Sequence, residues 1–249
     1  MKILISNDDG INARGIELLE EACREVGDVT VVAPDREQSA SSHALTMRRP
    51  LRTEKRGDGR FQVDGTPTDC VLLALEIVVD SKPDFVFSGV NHGPNMGEDV
   101  LYSGTVAAAM EGLSLGIPGV AMSYAGRDLR ILETQRGWIR QVAGELAQVK
   151  SFPEETLLNV NFPPIPGDQI RGVRVTSLGR RVYSNSVRRM LDPWDRETYW
   201  IGGGTSKWTG GKDSDFRAIE EGFISITPVH VDLTNYGLLE EVKSWGIGA

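Results

Sequence analysis

Lys2-Ile3-Leu4-Ile5-Ser6-Asn7-Asp8-Asp9-Gly10 is the stretch whose reading decides the fold. A short continuous apolar run of this kind marks a strand buried on both faces, as in a parallel sheet covered by helices. It empties into an amide, two adjacent carboxylates and a glycine. Neighbouring carboxylates raise the cost of ionising one another, and a bound cation removes that cost. The plainer alternative is a polar turn, because Asn and Asp side chains accept backbone N–H bonds. From this stretch alone both readings stand.

Outward from Gly10 the periodicity changes to that of a helix. Ile16, Leu19, Ala22, Cys23 and Val26 recur at helical spacing, Glu17, Glu20, Glu21, Arg24 and Glu25 hold the other face, and Gly27 ends the run. Val29 to Ala33 is a second buried strand, closed by Pro34-Asp35. Strand, helix and strand in succession form a βαβ unit, and such a sheet binds ligands outside the carboxyl ends of its strands. Asn7-Asp8-Asp9 and the hydroxyl-rich Gln38-Ser39-Ala40-Ser41-Ser42-His43 are therefore aimed at one rim.

At 249 residues, 40% hydrophobic and 25% charged, the chain has ordinary globular composition. A net charge of −8 argues against a nucleic-acid polymer as partner, since that needs a basic stripe. It leaves room for a small anion held by a metal or a helix end. Cys23 and Cys70 lie in apolar helical patterns without metal-ligand spacing, which fits free thiols in a cytoplasmic protein. Neither a signal peptide nor a membrane span is expected.

Leu45 to Arg52 and Arg60 to Val63 read as a small antiparallel excursion turning at Lys55 to Gly59. Thr66-Pro67-Thr68-Asp69 offers a Thr N-cap, a Pro in the first turn and an acid at the third helical position, opening a buried helix from Cys70 to about Val79. Asp84 to Ser88 is a third core strand, and the loop-like run from Gly89 to Leu101 leaves its carboxyl end. Tyr102-Ser103-Gly104-Thr105 then opens a helix from Val106 to Leu113. Free N–H groups, hydroxyls and the positive end of the dipole make that start an anion site; plain capping by Ser103 is the alternative.

Gly119 to Ser123 and Leu157 to Asn161 read as strands on either side of one long amphipathic helix, from Leu132 to Val149. Ile170 to Thr176 and Phe223 to Thr227 are further strands, and Tyr236 to Trp245 is a terminal helix. Arg180 to Trp200 reads as an extended hairpin about Asp192-Pro193, followed by a glycine-rich stretch from Ile201 to Asp215 that includes Gly203-Gly204. That stretch is not a phosphate-binding P-loop: Asp213 stands where Ser or Thr is required, and Ser206 where the first glycine belongs. The fold expected is a single α/β domain over 1–249, with a Rossmann-like, mostly parallel core over about 1–178 and protruding hairpin segments over about 179–249.

Three strand ends then supply hard oxygen ligands: Asp8 and Asp9, the hydroxyls near Ser39, and Asn91 or Asn95. Carboxylate, hydroxyl and amide carbonyl suit Mg²⁺, Mn²⁺ or Ca²⁺, whereas zinc favours thiolate or imidazole. A divalent cation beside the anion cradle at Ser103-Gly104-Thr105 is equipment for phosphoryl hydrolysis, the cation polarising the phosphoryl oxygen and lowering the pKa of a bound water. An aspartyl-phosphate enzyme is less consistent with the pattern, because its two acids usually stand one residue apart. A sensor that binds nucleotide or phosphate without turnover would use the same cradle.

The chain resembles the SurE family of nucleotidases. The resemblance is carried by Ser6 to Gly10, by Ala33-Pro34-Asp35-Arg36 with Ser39, and by Gly65 to Cys70. It continues through Ser88 to Gly97, Tyr102 to Gly112 and Ser225 to Thr234, in family order and across nearly the whole chain. It implies hydrolysis of nucleoside 5′- and 3′-monophosphates to nucleoside and inorganic phosphate, with broader phosphatase or short-chain exopolyphosphatase activity. It implies one divalent ion per subunit, Mg²⁺ or Mn²⁺, on Asp8, Asp9, Ser39 and Asn91, with Asp8 and Asp9 as catalytic residues. It places phosphate contacts at Asn95, Ser103, Gly104 and Thr105. It further implies a homodimer or homotetramer formed by exchange of C-terminal segments, for which the region after Gly179 is the candidate. Two positions depart from the common family form: Ala40 stands where Gly is usual, and His92 where a small residue is usual. His92 is read as covering the loop, and His43 and His230 as structural.

Overall fold

Alternate residues of β1 (Lys2–Ser6) are buried on opposite faces: Ile3 and Ile5 join one hydrophobic core and Leu4 another. The computed structural model to which they belong describes residues 1–184, 187–202 and 205–247. α1 (Arg14–Arg24) turns Ile16, Leu19 and Cys23 to the first core, and β2 (Asp28–Pro34) pairs parallel with β1. β3 (Thr53–Gly57) and β4 (Arg60–Val63) form the antiparallel excursion, but β3 lies where the turn was expected. Asp58-Gly59 is the turn, a pair suited to a two-residue hairpin loop, whereas Pro50 offers no N–H to a ladder over 45–52.

α2 (Pro67–Leu73) begins with the expected capping box and passes into a π-helical turn, Ala74–Val78. β5 (Phe85–His92) runs on past Ser88 into the segment read as loop; its register against β6 shifts between Ser88 and Asn91, where Gly89–Val90 is a cis peptide. α3 (Gly104–Ser114) leads to that β6 (Gly119–Tyr124). The one long helix expected next is two, α4 (Leu129–Thr134) and α5 (Arg136–Ala147). Buried Gln135 stands at the joint, its amide donating to the carbonyls of Pro163 (2.7 Å) and Ile165 (2.6 Å). β7 (Thr156–Phe162) and β8 (Val173–Val175) follow.

The arm is a two-tiered ribbon. β9 (Arg180–Ser184) pairs with β12 (Thr205–Thr209), and β10 (Val187–Leu191) with β11 (Glu197–Ile201) around Asp192-Pro193. One of its strands, β12, thus lies in the glycine-rich stretch. Asn185-Ser186, Gly203-Gly204 and Gly248-Ala249 of this arm lie outside the described residues. Not all of 179–249 is arm, however. α6 (Asp215–Glu220) packs on β13 (Ile224–His230), and β13 lies in the main sheet between β7 and β8. Pro228 is tolerated there because β8 pairs only with Ile224 to Ile226, which leaves the outer side of β13 unpaired at Pro228. α7 (Leu239–Ser244) ends the described chain after a 3₁₀ turn.

The main sheet has nine strands in the order β3-β4-β2-β1-β5-β6-β7-β13-β8. Strands β4, β2, β1, β5, β6 and β7 are parallel, with β3 opposed at one edge and β13 and β8 at the other. α1 and α5 cover one face, α2 and α3 the other. The chain builds outward from β1 first through β2, then on the other side through β5, β6 and β7. The strand order therefore reverses between β1 and β5, and in open α/β sheets the ligand crevice opens at that reversal.

Candidate metal and phosphate site at the sheet switch point

Asn7 closes a turn on Gly10: its Nδ2 donates to Gly10 O at 2.9 Å and its Oδ1 accepts from Gly10 N at 3.2 Å. The turn and the charge pair coexist, the first holding the second off the end of β1. Asp8 is buried, its Oδ1 accepts from the Thr105 hydroxyl, and its main-chain oxygen accepts from Gln38 N at 2.7 Å. Asp9 Oδ2 accepts from His92 N at 2.9 Å, so the carboxylates after β1 are tied to the end of β5. Burial pushes the Asp8 carboxyl up to about 6; the Thr105 hydroxyl pulls it back and the charge of Asp9 adds to the rise. Burial likewise pushes Asp9 up to about 6, opposed by the His92 N–H and assisted by Glu37. Two adjacent acids, one buried and one half-buried, driven toward neutrality together are suited to receive a positive charge.

His92 has its tautomer set by a neighbour. Nε2 accepts from Gly15 N at 3.2 Å, so the proton of the neutral ring sits on Nδ1, which faces Asp9 Oδ2 at 3.8 Å. Burial lowers its pKa, against the pull of Asp8 and Glu37. Its ring thus braces Asp9 against the start of α1. Asn91 Nδ2 donates to Gly93 O at 2.9 Å, which leaves Oδ1 as the atom able to meet a cation. The loop bearing Ser39 reaches the rim through the Gln38–Asp8 bond, but Ser39 is exposed and its hydroxyl donates to Glu37 Oε1 at 2.7 Å. Among the described residues no three His, Cys, Asp or Glu side chains form a metal-binding group. The candidate donors here are two acids and the Asn91 amide oxygen, with the Ser39 hydroxyl turned to Glu37. Two adjacent carboxyls pushed up to about 6, with an amide oxygen at the same rim, have the chemistry to fit a hard divalent cation.

The candidate anion side is the start of α3. Ser103 is its N-cap, Oγ accepting from Val106 N at 3.1 Å, so the capping role is realised while the hydroxyl proton stays available to donate. A Cβ on Gly104 would lie 2.7 Å from Ser41 Oγ, 2.8 Å from Asp8 Cβ and 3.0 Å from Asp8 Oδ2. Only glycine lets the helix start come this close to the carboxylate. Thr105 is fully buried with its hydroxyl on Asp8, so it orients the acid. Asn95 is held by amides that the sequence reading passes over. Its N–H donates to Asn161 Oδ1 at 2.9 Å, its carbonyl accepts from Asn159 at 2.7 Å and Asn161 at 3.0 Å, and its Nδ2 donates to Ser123 Oγ at 2.8 Å. Asn159-Val160-Asn161 carries the signal: two amides at alternate positions of a core strand need a polar partner on one face.

The structure thus brings Asp8, Asp9, Asn91, Asn95, Ser103, Gly104 and Thr105 to one rim and turns the Ser39 hydroxyl toward Glu37. His43 Nε2 lies 2.7 Å from Glu111 Oε2 of α3, whereas exposed His230 pairs with Asp232 and Glu155 on the far side of the sheet.

A family model described as "Survival protein SurE" matches residues 3–185. The chain is 59% identical over 248 residues to the 5′-nucleotidase SurE of Gemmatimonas aurantiaca, covering 98% of each chain. It is 46% identical over 249 residues to the 5′-nucleotidase SurE of Geobacter metallireducens, covering 98% of this chain and 97% of the relative. The crystal structure of the SurE protein from Aquifex aeolicus matches with a TM-score of 0.87 at 39% identity, over 99% of this chain and 100% of that one. A likeness in both sequence and architecture that runs through nearly the whole chain leaves one conclusion: the chain belongs to the SurE family.

Proposed function

We propose that the chain is a 5′-nucleotidase, a phosphoric monoester hydrolase that takes nucleoside 5′- and 3′-monophosphates to nucleoside and inorganic phosphate. The observation that carries the reading is the adjacent pair Asp8 and Asp9 at the switch point, both pushed up to about 6, with buried Asp8 directly against the glycine that starts α3. The name 5′-nucleotidase SurE borne by relatives up to 59% identical supports the same reading.

Asp8, Asp9, Asn91 and Ser39 would hold one Mg²⁺ or Mn²⁺ per subunit. When bound, such an ion polarises the phosphoryl oxygen and makes water a better nucleophile. Thr105 fixes Asp8 and the His92 N–H fixes Asp9, so neither carboxylate has to reorganise as charge develops. The backbone N–H groups at Gly104 and Thr105, the Ser103 hydroxyl and the Asn95 amide receive the phosphoryl oxygens, aided by the positive end of the α3 dipole. The departing nucleoside oxygen needs a proton, for which a carboxyl of the Asp8–Asp9 pair is the candidate relay. Phosphatase activity on other monoesters and on short polyphosphates belongs to the same proposal, because the cradle reads the phosphoryl group first.

The assembly proposed is a homodimer or homotetramer made through the C-terminal segments, in a cytoplasmic enzyme. Two buried free thiols, Cys23 and Cys70, support that compartment, and among the described residues no helix is long and apolar enough to cross a membrane. The test is release of inorganic phosphate from purified protein given Mn²⁺ and a panel of 5′- and 3′-monophosphates, with tripolyphosphate alongside. Release that chelator abolishes is expected. Binding of nucleotide without any release would make the protein a sensor instead.

A further inference from the structure

Ser41 Oγ is a buried side-chain oxygen with no hydrogen-bond partner. It lies against the site, because the point where Gly104 would carry a Cβ is 2.7 Å from Ser41 Oγ and 3.0 Å from Asp8 Oδ2. An unpaired hydroxyl and a catalytic carboxylate thus border the first residue of α3 together. The hydroxyl is held there by the surrounding chain. Ala40 and Ser42 on either side both adopt left-handed backbone, at φ 58° and 53°, a conformation uncommon outside glycine and often kept where function needs it. Ser41 N donates to Gln38 O at 3.2 Å, and Ser42 donates from N to Tyr102 O at 3.1 Å and from Oγ to Leu101 O at 2.8 Å. His43 then pairs with Glu111 at 2.7 Å. The downstream flank of Ser41 is therefore fastened to the segment that leads into α3 and to α3 itself, and the upstream flank is tied to Asp8 through Gln38 N. The loop carries two hydroxyls with different directions: Ser39 turns to Glu37, and Ser41 turns to the helix start.

We propose that Ser41 is a phosphate-binding residue of this site, donating its hydroxyl to an oxygen of the phosphoryl group seated at the start of α3. The proposal rests on the phosphomonoesterase reading above. A serine hydroxyl is both donor and acceptor, and beside a helix start rich in N–H donors the partner it lacks is an acceptor. A phosphoryl oxygen is such an acceptor, and a charged one, which makes the bond stronger than one between neutral groups.

The test measures affinity for inorganic phosphate by calorimetry on Mn²⁺-loaded protein, for the wild type and for Ser41→Ala, Ser41→Cys and Ser41→Thr. Alanine and cysteine are expected to weaken phosphate by about tenfold or more, the loss of one charge-assisted bond. Threonine keeps the hydroxyl and should bind within about threefold of wild type. Affinity for Mn²⁺ without phosphate should be unchanged in all three. The melting temperature of ligand-free Ser41→Ala should not fall, since the change deletes an unpaired polar atom. Cysteine keeps the side-chain volume, so it carries the test should the alanine variant not fold. Wild-type phosphate affinity in the alanine and cysteine variants overturns the proposal, as does an equal loss of Mn²⁺ affinity or a wild type that does not bind phosphate. The readout does not depend on turnover: a wild type that binds phosphate but releases none from nucleotides fails as a hydrolase while Ser41 keeps its assignment.

Discussion

A carboxyl that burial pushes up to about 6 works against folding once it ionises, and Asp9 is such a group. Below an unfolded value near 3.8 it is protonated in both states and has no effect. As pH rises the unfolded chain ionises first, so native stability is lost up to about pH 6 and stays lost above it. The full loss in metal-free protein is on the order of 2–3 kcal/mol. Asp9→Asn keeps an oxygen for the His92 N–H but carries no charge. In chelator, its melting point should therefore exceed wild type by roughly 5–10 °C at pH 7.5, with the gap closing toward pH 4. The same variant should release no phosphate and gain no thermal stability from Mn²⁺; an undiminished rate would sink the metal site. Gly104→Ala tests the other half, because its methyl would press on Asp8 and Ser41. A loss of phosphate release of about a hundredfold or more is expected, consistent with a misplacement near 1 Å. At this scale the place of Asp8, Asp9 and Asn91 on the sheet's rim was legible, because each follows a buried apolar run that reads as a core strand. Thr105 on Asp8, Ser39 on Glu37 and the inward Ser41 were not, because a hydroxyl's direction is settled by tertiary neighbours that sequence spacing does not specify.

The elements around the site are joined by a buried acid that the sequence reading does not single out. Asp215, the first residue of α6, accepts from Gly97 N at 2.8 Å, Gly179 N at 2.9 Å and Phe216 N at 2.8 Å. Burial raises its pKa even against those three donors. One carboxylate thereby ties the end of the Asn95 loop to the root of the arm, and Trp208 stacked on Phe216 at 5.7 Å with Met96 nearby closes the same joint. Asp215→Ala would strand three backbone donors and should cost about 2–4 kcal/mol, read as a melting point lower by roughly 5–15 °C. A melting point within about 2 °C of wild type would show that the joint is held by packing alone. Such long-range ties escape local patterning, and so did the Gln135 break between α4 and α5. The reach of β5 beyond Ser88 was missed for a related reason: Gly89 and Asn91 weigh toward loop by propensity, and pairing with β6 overrides it. Period and caps sufficed where neighbours agree with them, as in β1, α1 and the Thr66 capping box.

The molecule as a whole divides its hydrophobic residues unevenly. The parallel sheet buries nearly all of its own, and its topology was legible because strand, helix and strand succeed one another with buried runs on both sides of β1. The arm and the C-terminal segment do the reverse: Ile201 is 89% exposed, Leu233 87%, Trp194 73% and Trp200 66%. Side chains of this kind exceed what a monomer normally shows to water, which supports the assembly proposed through these segments. Val187 and Ile201 are paired across β10 and β11 on one face of the ribbon's outer tier, while Trp200, opposite Arg188 on the next rung, lies on the other face. Replacing Trp200 by Ser and Ile201 by Asp puts a charge into that tier without touching Asp215, Gly97 or any residue of the rim. The double variant should sediment as a smaller species than wild type at the same concentration. Its phosphate release per subunit should stay within a few-fold, because Asp8, Asp9, Asn91, Asn95 and the start of α3 are all supplied by one chain. Unchanged sedimentation would place the interface elsewhere on the chain. A smaller species that has lost its activity would instead mean that the arm of one copy completes the site of another.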